Sequence, residues 1–268
     1  MAQLSMNETT TFRWSFDEDV DRYAAAGIPA IGVWRPKLSD FGPEKAVELL
    51  RERGLRVSHL LWAGGFTGSD GRSYRDSVED AVEAVKTAAV LQTDTLVVYS
   101  GARAGHTYNH AKRLIQGALS ELIPVAAQAG VYLAVEPMHP GCAAEWTFLN
   151  TVGDMLALFE AVGSTQVKMV FDTYHLGLQE GTLERIAELA PHVAIVQLGD
   201  ARQPPTGEQN RCRLGEGSVP VKELVAALRS AGYDGYFDVE LLGEEIETCD
   251  YGELLEHAKT AYGELVGE

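Results

Sequence analysis

Eight short apolar runs, each followed by a stretch with helical periodicity, leave this chain few folds to adopt. A strand that is apolar on both faces needs cover on both, and a helix that returns the chain to a parallel neighbour supplies it. The first run is weak, QLSMNETT from Gln3 to Thr10. Seven stronger ones follow: IPAIGVW from Ile28, LRVSHLLW from Leu55, DTLVVYSG from Asp94, VYLAVEP from Val131, VKMVFDT from Val167, VAIVQLGD from Val193 and GYFDVELL from Gly235. The helices between them carry readable punctuation. Ser15 with Glu18 forms a capping box, Phe16, Val20, Tyr23 and Ala24 share one face, and Gly27 ends that helix. Pro43 opens a second helix that Gly54 closes, and Ser77 with Asp80 reads as the box of a third. Later helices are expected over about Tyr108 to Ala129, Thr151 to Ala161, Thr182 to Leu189, Pro220 to Ala231 and Tyr251 to Val266. Eight strand and helix pairs in 268 residues suit a (β/α)8 TIM barrel, with a doubly wound open sheet as the alternative. No linker or low-complexity tract divides residues 1–268, so one barrel domain is expected.

Composition removes several classes of function. The chain has 39 acidic and 22 basic side chains, a formal charge of -17 and a pI near 4.8, a balance that repels phosphate backbones and argues against nucleic acid. Cys142, Cys212 and Cys249 are too few and scattered for a disulfide framework or a thiolate zinc site. No apolar run reaches the ~18 residues of a membrane span, and MAQLSMNETT lacks the basic and apolar regions of a signal peptide. A cytoplasmic, soluble protein is expected.

In a barrel, the carboxyl ends of the strands meet at one mouth. Four of the later runs end there in Glu136, Asp172, Gln197 and Glu240, one per successive unit. Taken singly, each is a rim residue awaiting a salt bridge. Together, buried carboxylates cost several kcal/mol of desolvation and repel one another unless a cation compensates them. Three carboxylates and an amide oxygen form a hard set, favouring Mn²⁺ or Mg²⁺, with Co²⁺ next, over structural zinc.

The segments LAVEPMHP, TFLNTVGDMLAL, FDTYH, NRCRLGEG and DVEL, in this order and spacing, resemble the xylose isomerase-like barrel superfamily. The likeness is specifically to its sugar phosphate isomerase/epimerase group, which includes ketose 3-epimerases, hydroxypyruvate isomerases and inosose dehydratases. The resemblance implies that Glu136, Asp172 and Glu240 are metal ligands. Gln197 stands where many members carry histidine and resembles the hydroxypyruvate isomerase pattern. It further implies that His175 and Arg211 contact substrate. Glu208 and Glu216 flank Arg211 without an assigned role.

A hydroxyketone with a polarised carbonyl has an acidic neighbouring C–H, and Glu136 and Glu240 are the groups placed to move its proton. Delivery to the neighbouring carbon is aldose–ketose isomerisation; delivery to the opposite face is epimerisation. The alternative is a metal-dependent lyase, a keto-inositol dehydratase or 3-keto-glycoside eliminating enzyme. Abasic-site endonuclease action is disfavoured by the low pI and sparse histidines, and a noncatalytic sugar-binding barrel would not need both glutamates. His139 is either a substrate contact or a solvated loop histidine, and His59 is a satisfied core or rim histidine. Trp14, Trp34 and Trp62 form either a wall for a sugar face or ordinary packing at the mouth. Arg35, Lys37 and Arg103 are candidates for substrate oxygens, with a surface salt bridge the favoured reading of Lys37. The partner expected is a small keto sugar or keto polyol, and the exposed helices leave room for a homo-oligomer.

Overall fold

The computed structural model describes residues 3–266 except 208, so Glu208 lies outside the described residues. Eight strands close into a barrel: β1 (Gln3–Asn7), β2 (Ala30–Trp34), β3 (Arg56–Gly64), β4 (Thr95–Tyr99), β5 (Tyr132–Val135), β6 (Val167–Asp172), β7 (Val193–Leu198) and β8 (Tyr236–Val239). Every neighbouring pair is parallel, and β8 pairs with β1 from Gln3↔Tyr236 to Met6↔Val239. Closure excludes the open-sheet alternative. Even the weak first run is a ladder strand because its neighbours complete its hydrogen bonds.

The connecting helices are α1 (Phe16–Ala25), α2 (Arg35–Phe41), α3 (Pro43–Arg53), α4 (Tyr74–Val90), α5 (Tyr108–Ala129), α6 (Val152–Val162), α7 (Thr173–Leu176), α8 (Ile186–Leu189), α9 (Val221–Ser230), α10 (Glu244–Glu247) and α11 (Tyr251–Val266). Glu18 reaches back to the Ser15 amide at 3.0 Å, as the first capping box predicts. The α4 box lies one turn earlier than expected. Ser73 caps through the Asp76 amide at 3.1 Å, whereas Ser77 bonds Gly65 O and Asp80 takes Arg35 and Arg72. Helix α2 precedes the one opened by Pro43, and it carries Lys37 inward. Lys37 is buried rather than on the surface: Nζ lies 2.5 Å from Asp19 Oδ2 and donates to the carbonyls of Glu8 and Thr11. The span Thr182 to Leu189 is a 3-10 turn, Leu183–Arg185, followed by the short α8.

Strand alternation divides the side chains between two cores. Leu4, Met6, Ile31, Val33, Met169, Phe171, Val196, Leu198, Phe237 and Val239 face the helices in one large cluster. Leu61, Val97, Ala134, Val170 and Ile195 form a separate cluster inside the barrel on β3 to β7. Across β8, β1 and β3 the interior is polar instead, with Ser5, Asn7, Ser58, His59 and Asp238 all buried.

Candidate active site

The two-residue strand period carries each interior position up to the mouth. Two residues beyond Ala134, Val170, Ile195 and Asp238 stand Glu136, Asp172, Gln197 and Glu240, which are 2%, 0%, 0% and 3% exposed. Asp172 and Gln197 face each other in register on β6 and β7, and Gln197 is in register with Asp238 on β8.

Asp172 ends β6 and caps α7. Its Oδ1 accepts from the amides of Tyr174 (2.7 Å) and His175 (3.3 Å), and Oδ2 lies 2.9 Å from Arg211 Nη2. The same Nη2 lies 3.2 Å from Glu240 Oε2, and Thr9 Oγ1 lies 3.1 Å from Glu240 Oε1. His175 Nε2 is 3.8 Å from Glu136 Oε1 and 4.0 Å from Asp172 Oδ2. Donor atoms of Glu136, Asp172 and His175 lie within 4.8 Å of one another. The Gln197 amide is fully buried with neither its oxygen nor its nitrogen hydrogen-bonded.

Burial raises the Glu136 carboxyl well above its ordinary value, and the charges of Glu240 and Asp172 raise it further against the pull of Arg211. Glu240 is pushed up to about 7, again by burial first, with Arg211 opposing. Burial lowers His175 to about 3, so its imidazole is neutral. The His139 amide donates to His175 Nδ1 at 3.4 Å, which places the ring proton on Nε2, facing the carboxylates. In that tautomer Nε2–H points toward the carboxylates, and with its proton displaced the same nitrogen could join Glu136 and Asp172 in holding a metal ion.

Arg211 is fixed on every side. Its guanidinium lies 4.5 Å over the Tyr174 ring, Nη1 donates to Glu240 O, and Nε donates to Gln209 Oε1. One guanidinium serves three buried carboxyls, too little positive charge for all three to ionise. With the unpaired Gln197 oxygen, this oxygen-rich donor set fits a hard divalent cation.

The opposite side of the mouth is aromatic. Trp34 meets Trp62 edge-on at 6.2 Å, Trp62 meets Trp146 at 5.3 Å, and Tyr99 meets Trp146 at 5.6 Å. Trp34 and Trp62 rest on the interior cluster, while Tyr99 and Trp146 line a cavity of about 720 Å³. Trp14 stays outside this wall. Its ring packs on Tyr251 at 5.2 Å, with Arg22 over one face. His139 is half-buried and its Nδ1 accepts from the Gly141 amide, so its ring turns into its own loop. Arg35 is held by Asp80, Arg103 is exposed, and Glu216 pairs with Arg202.

Tyr99, Trp146 and Thr9 escaped the sequence reading. Alternation from Val97 could have placed Tyr99 inward, and the same count from Asn7 could have placed Thr9. Trp146 sits in a loop without periodicity, and nothing local marks it.

Two loops clasp each other. The Gly207 amide donates to Gly141 O at 2.6 Å, and a Cβ on Gly141 would lie 1.9 Å from Pro205 O. Only glycine admits that approach.

A family model described as a xylose isomerase-like TIM barrel matches residues 20–261. The inosose isomerase of Halalkalibacterium halodurans is 26% identical over 211 residues, covering 76% of this chain and 72% of its own. The D-psicose 3-epimerase of Enterocloster bolteae is 30% identical over 118 residues, covering 44% of this chain and 36% of its own. A solved structure of a Sinorhizobium meliloti protein superposes with a TM-score of 0.90 at 27% identity, covering 98% of each chain.

Proposed function

The chain belongs to the xylose isomerase-like TIM barrel family, and from that premise we propose a divalent-metal-dependent isomerase or epimerase of a small keto sugar or hydroxyketone. One observation carries the reading: two glutamates from different strands, Glu136 and Glu240, are both buried beside Asp172 with carboxyls raised above their ordinary range. Glu240, at about 7, takes and returns a proton in the working range of a proton-transfer enzyme, and Glu136 is raised in the same direction. The inosose isomerase and D-psicose 3-epimerase names support the same class, and they do not favour elimination.

Glu136, Asp172, Gln197 and Glu240 would hold the cation, Mn²⁺ first and Mg²⁺ or Co²⁺ next. When bound, it polarises the substrate carbonyl and acidifies the neighbouring C–H. One glutamate takes the proton from that carbon, leaving a cis-enediolate. The other returns a proton to the adjacent carbon in isomerisation, with the hydroxyl proton passing to the former carbonyl oxygen, or to the opposite face of the same carbon in epimerisation. His175 Nε2–H and Arg211 face the developing oxyanion and offset its charge. Trp62, with Trp34 and Trp146, gives the carbon face of the substrate an apolar wall, and the clasped loops keep water from the enediolate. Trp14 and the His139 ring were candidates for substrate contact; their placement supports Trp62 more than either.

The test is a Mn²⁺-reconstituted screen of keto sugars and keto-inositols, read by mass and chromatography. Products of unchanged mass and new retention time, lost in Glu136→Gln and Glu240→Gln, are expected. Loss of water or of an aglycone would transfer the chain to the lyases, and turnover surviving both substitutions would remove the two-glutamate mechanism.

A further inference from the structure

We propose that Thr9 is a positioning residue for Glu240, anchored through Asn7 to a polar network in the barrel floor. The proposal rests on the reading of Glu240 as a ligand and proton carrier given above.

The network is continuous. Ser5 Oγ lies 2.7 Å from Ser58 Oγ, and Ser58 Oγ lies 2.9 Å from His59 Nδ1. His59 Nε2 stands 3.5 Å from Asn7 Nδ2 and 3.6 Å from Asp238 Oδ2. Asn7 Nδ2 donates to Asp238 Oδ2 at 2.8 Å, and Asn7 Oδ1 accepts the Thr9 amide at 3.0 Å. Donating on one side and accepting on the other fixes the orientation of the Asn7 amide.

Thr9 Oγ1 lies between Asn7 Oδ1, at 2.8 Å, and Glu240 Oε1, at 3.1 Å. The hydroxyl has one proton, shared between these two acceptors, and Asn7 Oδ1 has a second lone pair for the Thr9 amide. Thr9 thus holds Oε1 while Arg211 faces Oε2. Held at both oxygens, the carboxylate loses rotation about its terminal bond.

The fold makes room for this arrangement. A Cβ at Gly32 would lie 2.4 Å from His59 Cε1 and 3.1 Å from Asp238 Oδ1, so β2 gives up a side chain where the ring sits. On β3 to β7 the same interior is filled by Leu61, Val97, Ala134, Val170 and Ile195. Buried polar groups are costly where aliphatic packing would serve, and this chain of contacts leads to Glu240.

The experiment compares Thr9→Val, which keeps the shape and removes the hydroxyl, with Thr9→Ser, which keeps the hydroxyl, and with Glu240→Gln. Mn²⁺ binding is read by calorimetry on the full chain, beside the melting temperature of each metal-free variant. Thr9→Val is expected to weaken Mn²⁺ binding about 10- to 100-fold, the usual cost of removing a partner that orients a ligand, and Thr9→Ser to restore it. Should Thr9→Val fail to fold, Thr9→Ala carries the same expectation. Wild-type affinity in Thr9→Val, with Glu240→Gln weakened, overturns the positioning role; equal weakening in Thr9→Ser overturns it too, since volume then decides. If wild type binds no Mn²⁺, or Glu240→Gln binds it unchanged, the ligand assignment itself fails.

Discussion

The two sides of the barrel mouth differ in their physics. From β5 to β8 the rim presents Glu136, Asp172, Gln197 and Glu240 around Arg211, all sealed from solvent. Toward β2 to β4 it presents Trp34, Trp62, Tyr99 and Trp146 in a chain of ring contacts beside an open cavity. Charges in a low-dielectric wall interact strongly and act on bonds, whereas rings offer area and act on shape. On the proposed function, chemistry and selection fall to different strands, and substitutions on the two sides should read out in different constants.

The largest contrast is expected in turnover. Glu136→Gln and Glu240→Gln should each lower kcat by about 10²- to 10⁴-fold, the range for loss of a general acid or base, in steady-state assays of whichever sugar the screen identifies. A comparable fall in kcat for Trp62→Ala would break the division of labour.

Next in size is the electrostatic debt left by Arg211→Met. Removing the cation between Asp172 and Glu240 should destabilise the metal-free protein by about 3–5 kcal/mol in denaturant titrations, because two buried carboxylates lose their partner. No change would mean that the acidic side is not held together by charge.

A smaller effect follows from pH. Burial raises Glu240 to about 7 and Asp238 to about 8, both above unfolded carboxyl values, so the folded chain keeps protons the unfolded chain has released. Their contribution to stability is present in mild acid and is lost as pH rises through about 7 and about 8. His59, lowered to about 3, has the opposite slope, but only below its unfolded value. The metal-free melting temperature should therefore fall between pH 6 and pH 8, and Mn²⁺ should flatten the decline. A rise over that range would contradict the raised carboxyls.

The aromatic side should give the smallest response. Trp62→Ala and Trp146→Ala should raise KM about three- to tenfold with kcat nearly unchanged, the worth of an aromatic contact. Trp14→Ala, packed on Tyr251, should leave both constants alone.

Legibility in the sequence followed the reach of each physical signal. The barrel was readable because strand and helix periods repeat locally, and the acidic grouping was readable because alternation projects each strand end inward. His175 and Arg211 came from motif order, and the structure places both against the carboxylates. Lys37 was misplaced because its partner Asp19 lies on α1, and no local pattern tells a buried amine from a surface one. The α4 box was shifted by one turn because Ser73–Asp76 and Ser77–Asp80 have equal spacing, and only packing chooses between them. Trp146 joins its wall through Trp62 and Tyr99, partners on other strands that no short window of sequence could connect to it.

The clasp between Gly141 and the Pro205–Gly207 segment also sets a clock on isotopes. Under the proposed mechanism, a buried Glu136 or Glu240 would exchange hydrogen with bulk water slowly, and parting of the clasped loops is the motion expected to admit it. Deuterium taken from a labelled substrate would stay with the protein until that moment. The rate at which label washes into solvent would thus measure loop parting, while product formation measures chemistry, so one labelled substrate would time both events in a single turnover.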